Sequence, residues 1–168
     1  LFLSILLFVA FDSSAEIYPP ILTFDPIEYG GDNQNWKIDQ LANNSMIFAN
    51  GKGLLVYNGE QWNLYQSHRT SVLRSVKVDK DLVYSGSDMD FGYWVLQKDG
   101  SYFYTSLVEE LSIEMEPDEL VWNIMLVDGN VFFQTLERVY LYDPVSKSVS
   151  KLEIPNGVNK IFKVNSNI

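Results

Sequence analysis

The stretch DMDFGYW, residues 88–94, carries the residue types most suggestive of chemistry. Asp90-Phe91-Gly92 is the tripeptide with which protein kinases hold magnesium, and Asp88-x-Asp90 matches the opening of a calcium loop. Kinase chemistry also needs a Gly-rich phosphate loop, a strand lysine in a V-A-I-K context and an H-R-D catalytic loop. No G-x-G-x-x-G precedes Asp90, and the single histidine, His68 in SHRTS, has no aspartate after its arginine. The calcium pattern fails as well: Gly92 stands at the third ligand position and no glutamate at the twelfth. A Ser-His-Asp triad needs a placed histidine and a nucleophile elbow, but no G-x-S-x-G occurs, so His68 reads as a solvated loop residue. Glycoside hydrolysis needs two carboxylates facing each other across a sugar. Glu109, Glu110, Glu114, Glu116, Asp118 and Glu119 instead crowd one insertion, VEELSIEMEPDEL (108–120), without sugar-stacking aromatics, and read as a solvated acidic loop. No catalytic residue, metal ligand or cofactor is assigned.

Any remaining functional residues must be found through the elements that position them. Runs of four to seven residues rich in Val, Ile, Tyr, Phe and Trp alternate with Gly, Asn and Asp turns almost throughout, the pattern of short strands. Asn50-Gly51, Asn58-Gly59, Asp99-Gly100 and Asp128-Gly129 accept positive φ and favour tight hairpins. Helical periodicity is confined to SLVEELSIEM, where Ser106 and Glu109 fit a capping box. Asn43-Asn44-Ser45 matches a glycosylation sequon but reads more simply as a turn leading into a strand.

The strand runs repeat. NWKIDQ, MIFAN, LLVYNG and QWNLY are followed by a second series containing LVYSG and YWVLQKDG, and by a third containing VFFQT and VYLYD. KIFKV, at 160–164, opens a fourth. Trp36, Arg74, Trp122 and Phe162 fall at equivalent places, with spacings of 38, 48 and 40, the longest interval holding the acidic insertion. Four short antiparallel strands in about 40 to 45 residues, repeated in tandem, are the signature of β-propeller blades. One four-stranded sheet has two apolar faces and can hide neither alone, whereas stacked blades cover both. The expected fold is therefore all-β: a propeller fragment of about three blades and the start of a fourth. A Greek-key sandwich does not predict such a repeat.

The expected organisation is a partial signal peptide at 1–15, an N-terminal segment at 16–35, and blades at 36–71, 72–120 and 121–158, with a fourth opening at 159–168. The N-terminal segment holds Ile21 to Phe24, a candidate ring-closing strand. On this reading DFGYW lies where blade two turns from its second strand into its third, with Gly92 easing the turn. Phe91, Tyr93 and Trp94 then pack between blades. The first strand of each blade lines the central channel, which places Trp36, Arg74 and Trp122 near the channel face. Indole and guanidinium groups there could stack on and hydrogen-bond a sugar or other small ligand. The alternative is that the tryptophans pack between blades and Arg74 pairs with a local carboxylate.

Composition narrows the partners. Leu1 to Phe11 form an apolar run too short to span a bilayer of about 30 Å, and Ser13-Ser14-Ala15 offers a signal-peptidase site, so an export signal is expected. There are no cysteines, which excludes disulfides and thiolate chemistry. With 22 acidic and 12 scattered basic residues, net charge −10, the chain lacks the basic surface that nucleic acid requires. Hydrophobic residues at 46% and aromatics at 14% are enough for a large core.

MIFANGKGLLVYNGEQWNLY resembles the repeat of two-component-regulator propellers, with its Gly-x-Gly-Leu turn and YNG hairpin. YPPILTFDPIEYGGDNQNWKIDQ, followed by that blade, by SDMDFGYW and by VWNI, is similar to the start of a group of large bacterial sensor-regulators. The resemblance implies an exported propeller ahead of a triple-tyrosine β-domain, a membrane helix and a cytoplasmic output, either a LuxR-type DNA-binding domain or a histidine kinase. It further implies the periplasmic ectodomain of an inner-membrane protein, homodimeric in the parent. Such an ectodomain would contact an extracellular small molecule or oligosaccharide, the remaining blades and the triple-tyrosine domain, and no nucleic acid. Two functions follow as expectations. The first is a non-catalytic extracytoplasmic sensor propeller of a signal-transduction or transcription regulator, recognising an extracellular ligand such as a carbohydrate at Trp36, Arg74 and Trp122. The second is an exported propeller enzyme, a polysaccharide lyase or glycosidase.

Overall fold

The computed structural model describes residues 21–69, 72–154, 156–157 and 159–162. The expected signal peptide at 1–15 and most of the fourth repeat lie outside them. Among the described residues twelve strands form three separate four-stranded antiparallel sheets, each a meander in chain order. The first holds β1 (Asn35–Gln40), β2 (Met46–Asn50), β3 (Gly53–Tyr57) and β4 (Trp62–Tyr65). The second holds β5 (Ser75–Asp79), β6 (Leu82–Gly86), β7 (Phe91–Leu96) and β8 (Tyr102–Ser106). The third holds β9 (Asn123–Val127), β10 (Asn130–Gln134), β11 (Arg138–Asp143) and β12 (Ser148–Glu153). The sheets stack through their first strands, β5 lying against β1 on one side and β9 on the other. This is the blade arrangement of a propeller fragment, as the repeat predicts.

Stacking follows from period-two side-chain alternation, which in the middle sheet gives each face its own apolar cluster. In the middle sheet Val83, Trp94 and Tyr104 join Ile47, Leu54 and Val56 of the first. The intervening Tyr84 and Phe91 join Phe133, Tyr140 and Val131 of the third. Phe91 stacks on Phe133 with ring centroids 4.5 Å apart, and Trp94 lies 4.8 Å from Tyr104. Phe91 and Trp94 are therefore inter-blade residues, as read from sequence, with Tyr93 at the margin of the second cluster.

Gly92 departs from expectation. It lies inside β7, paired with Ser85 and Ser106, and the turn occupies the residues before Phe91. A Cβ there would stand 2.0 Å from the Thr105 carbonyl oxygen and 2.9 Å from Tyr104 Oη. Gly92 is needed for close approach of β8 rather than for a bend.

All the loops joining second to third strands and all the blade-to-blade linkers emerge at one end of the stack. At the opposite end the hairpins are tight, as at Asp128-Gly129, where φ is 51° and 83°. Asn43-Asn44-Ser45 is a turn there, closed by the Ser45 N–H donating to Asn43 Oδ1. Two single-turn helices stand beside the strands among the described residues. α1 (Pro26–Tyr29) is capped by Asp25, whose side chain accepts from the N–H groups of Ile27 and Glu28. α2 (Leu107–Glu110) is capped by Ser106, which accepts from the Glu109 N–H. That bond is the forward half of the expected capping box. Phe24 and Tyr29 pack on the outer face of the first sheet, 5.2 and 5.4 Å from the Trp62 ring. No helix among the described residues is long and apolar enough to cross a membrane.

Candidate functional site

Trp36, Arg74 and Trp122 come to one place, the last two at equivalent positions and Trp36 at a bulge in β1. Arg74 and Trp122 each stand just before the first strand of their blade, and each donates its backbone N–H to the last residue of the second strand, Gly86 or Gln134, at 2.9 Å. Trp36 is the second residue of β1. The Arg74 guanidinium carbon lies 5.1 Å from the Trp36 ring centroid and 4.8 Å from that of Trp122. The two indoles meet edge to face at 5.9 Å. Three blades thus contribute one side chain each to a triangle of two rings and a cation, a geometry in which the ring quadrupoles attract the charge.

Arg74 also has a local carboxylate, as the packing alternative expected. Its Nε donates to Asp88 Oδ1 at 2.6 Å, and Nη2 reaches Oδ2 at 3.5 Å. The Arg74 side chain is 15% exposed and that of Asp88 40%. Trp36 is 37% exposed. The Trp122 indole N–H is buried and finds no acceptor among the described residues. With the guanidinium fork engaged, an incoming molecule meets an indole beside a half-open carboxylate, which suits hydroxyl groups on an apolar ring better than a bare anion.

Asp88 is held out by a loop whose three central residues face three different elements. The Met89 N–H donates to the Glu119 carbonyl at 2.7 Å. Asp90 points inward, buried, accepting hydrogen bonds from Tyr104 Oη at 2.9 Å and from Ser106 Oγ. Burial pushes the Asp90 carboxyl up, against the lowering effect of those hydroxyls. Glu119 corrects the reading of 108–120 as a solvated acidic loop. Its side chain is 1% exposed and accepts from Thr135 Oγ1, Tyr140 Oη and Arg138 Nη1. Burial opposes the Arg138 charge, but its bonds to Glu153 and Glu119 prevail and raise its pKa. Burial and the bond to Glu119 likewise raise the Tyr140 hydroxyl, which stays a donor.

Sequence reasoning missed Asp88 and Glu119 as partners. The available signal for Glu119 was an acidic residue beside Leu120-Val121, an apolar pair opening the third blade. His68 lies in the linker between blades, its Nε2 2.8 Å from Glu109 Oε2, and Arg69 reaches the same carboxylate at 3.3 Å. Among the described residues Ser106 bonds Asp90 while His68 bonds Glu109. Among the described residues no group of three or more His, Asp or Glu gathers to hold a metal.

No family model matches the chain, and no curated protein matches it. Among solved structures it is similar to the extracellular domain of BT4673 from B. thetaiotaomicron, there described as a candidate one-component system. The TM-score is 0.61 at 17% identity, covering 79% of this chain and 18% of that one. A second structure of a BT4673 extracellular domain, described as a candidate hybrid two-component system, aligns with a TM-score of 0.54 at 17% identity, over 73% of this chain and 16% of that one. The chain thus spans less than a fifth of the length of these neighbours, and the likeness establishes the fold.

Proposed function

We propose that this chain is the propeller-forming part of a non-catalytic extracytoplasmic sensor, and that it recognises a small extracellular ligand where Trp36, Arg74 and Trp122 meet. The observation that carries the reading is their convergence from three blades, which leaves an exposed indole beside a half-open carboxylate. A hydroxyl-rich ligand such as an oligosaccharide suits that pairing. The likeness to extracellular domains supports a place outside the cytoplasm, as the ectodomain of a membrane-bound regulator whose output binds DNA or phosphorylates a partner. The remaining blades, a triple-tyrosine domain and a second copy of the parent would then transmit the bound state.

Thermal unfolding against a panel of plant and host oligosaccharides tests this. One member is expected to raise the Tm of the wild type, by roughly 5–10 °C at a hundredfold excess over Kd. Trp36→Ala is expected to abolish that rise. A rise that survives Trp36→Ala would put the site elsewhere. Cleavage of the oligosaccharide would favour the exported lyase or glycosidase.

A further inference from the structure

The four residues Glu119 to Trp122 link the third blade to the candidate site. Their first side chain is clamped by blade three: Glu119 accepts from Thr135 Oγ1 and Tyr140 Oη at 2.8 Å each, from Arg138 Nη1 at 3.1 Å and from the Glu116 N–H at 3.1 Å. Their backbone runs antiparallel to the loop carrying Asp88. The Met89 N–H donates to the Glu119 carbonyl at 2.7 Å and the Val121 N–H to the Ser87 carbonyl at 3.0 Å, bracketing the Asp88–Leu120 bridge. Their last side chain is Trp122, one of the two rings against Arg74. Met89, between Asp88 and Asp90, has a φ of 54°, in the left-handed region that a methionine rarely occupies, so this loop needs its neighbours to keep its shape.

We propose that Glu119 is a positioning residue for the Arg74–Asp88 pair. Anchored on blade three, it sets the height of the 87–90 loop, and with it where the Asp88 carboxylate meets the guanidinium and how Trp122 lies against both. A shift of blade three relative to blade two would then alter the site, and occupation of the site would strain the same anchor. A carboxylate with four donors is stiff, because leaving any of them unpaired in a buried place is costly. That this positioning matters for recognition rests on the sensor reading above; the positioning itself does not.

The test uses the full chain labelled with 5-fluorotryptophan, whose four tryptophans give four 19F signals assignable by single Trp→Phe replacements. Tyr140→Phe removes one donor at constant shape, and Glu119→Gln removes the charge. The Trp36 and Trp122 signals are expected to move by more than a linewidth, further in Glu119→Gln than in Tyr140→Phe. Trp62, on the far face of the first sheet, stays in place. Val149→Ala, a truncation at the partly buried margin of the cluster between blades two and three, is the control for general loosening and should leave Trp36 and Trp122 unmoved. Unchanged Trp36 and Trp122 signals in both variants, or equal movement in Val149→Ala, would overturn the proposal. If Glu119→Gln does not fold, Tyr140→Phe decides alone. No ligand enters this experiment, so it can succeed or fail independently of the oligosaccharide screen.

Discussion

Arg74 is held by two kinds of contact that respond differently to substitution. Each ring contact is worth about 0.5–2 kcal/mol depending on how dry it is, and a half-open ion pair up to about 1 kcal/mol. Arg74→Ala is therefore expected to lower stability by about 2 kcal/mol in urea unfolding, less than a buried pair would lose, because water reaches Asp88. Arg74→Lys should recover less than half of that, since an ammonium can neither fork onto the carboxylate nor lie flat on indole. A wild-type-like Arg74→Lys would mean that charge alone matters. Gly92→Ala sets a second expectation, about 2–3 kcal/mol of destabilisation, because the clashing atom is a strand carbonyl that cannot rotate away. An unfolding midpoint unchanged from wild type would show that β8 can retreat. At this scale the sequence was informative where the repeat applied. Arg74 and Trp122 share a register, Trp36 meets them from a bulge in β1 that sequence spacing does not show, and Asp88 and Glu119 sit in loops of unequal length where no register exists.

Strands and loops carry the pH response. The Asp90 carboxyl is raised above its ordinary value of 3.8, chiefly by burial between β7 and β8. A raised acid stabilises the fold fully below its unfolded value, and that contribution is lost as pH rises through the folded value. Ionised Asp90 is thus a cost at neutral pH. Asp39 behaves oppositely. Burial would raise it, but bonds from Lys77 Nζ, the Val78 N–H and the Gln40 N–H bring it below 3.8, so its contribution is present above 3.8 and fades as pH falls through the folded value. The two windows lie on either side of 3.8. Asp90→Asn should gain stability relative to wild type as pH rises from 4 toward 7, read by urea midpoints at each pH, and a flat difference would contradict the assignment. The N-terminal segment offers a second element-scale expectation. Phe24 meets Trp62 of blade one as Tyr65 of β4 meets Tyr102 of blade two. It lies 11 residues before β1 where Tyr65 lies 10 before β5. Phe24 therefore stands where an outermost strand of the preceding blade would be, and Ile21 and Leu22 beside it are exposed. In the complete propeller Ile21 to Phe24 is expected to pair as that strand and to show slow amide exchange. Exchange at unstructured-peptide rates would rule this out. α1 was missed, although Asp25, Pro26 and Gly30 spell its cap, first turn and stop.

Across the whole molecule, the fold was legible because every blade solves the same burial problem with the same period, so strands such as MIFAN and LVYSG could be bounded to the residue. The clamp at Glu119 was not legible, because it depends on which blade lies beside which. The same geometry divides the molecule into two ends with different histories of change open to them. At the base, hairpins of four or five residues join third to fourth strands in all three blades, and two-residue turns join first to second strands in the second and third, where an added residue would throw two paired strands out of register. At the other end the linkers run to quite different lengths and already accommodate a helix, an acidic segment and a buried clamp without disturbing a strand. Length variation among descendants of such a chain should therefore gather chiefly on the side of the linkers. A lineage could rewrite that rim while the stacked sheets beneath keep the same pattern of residues.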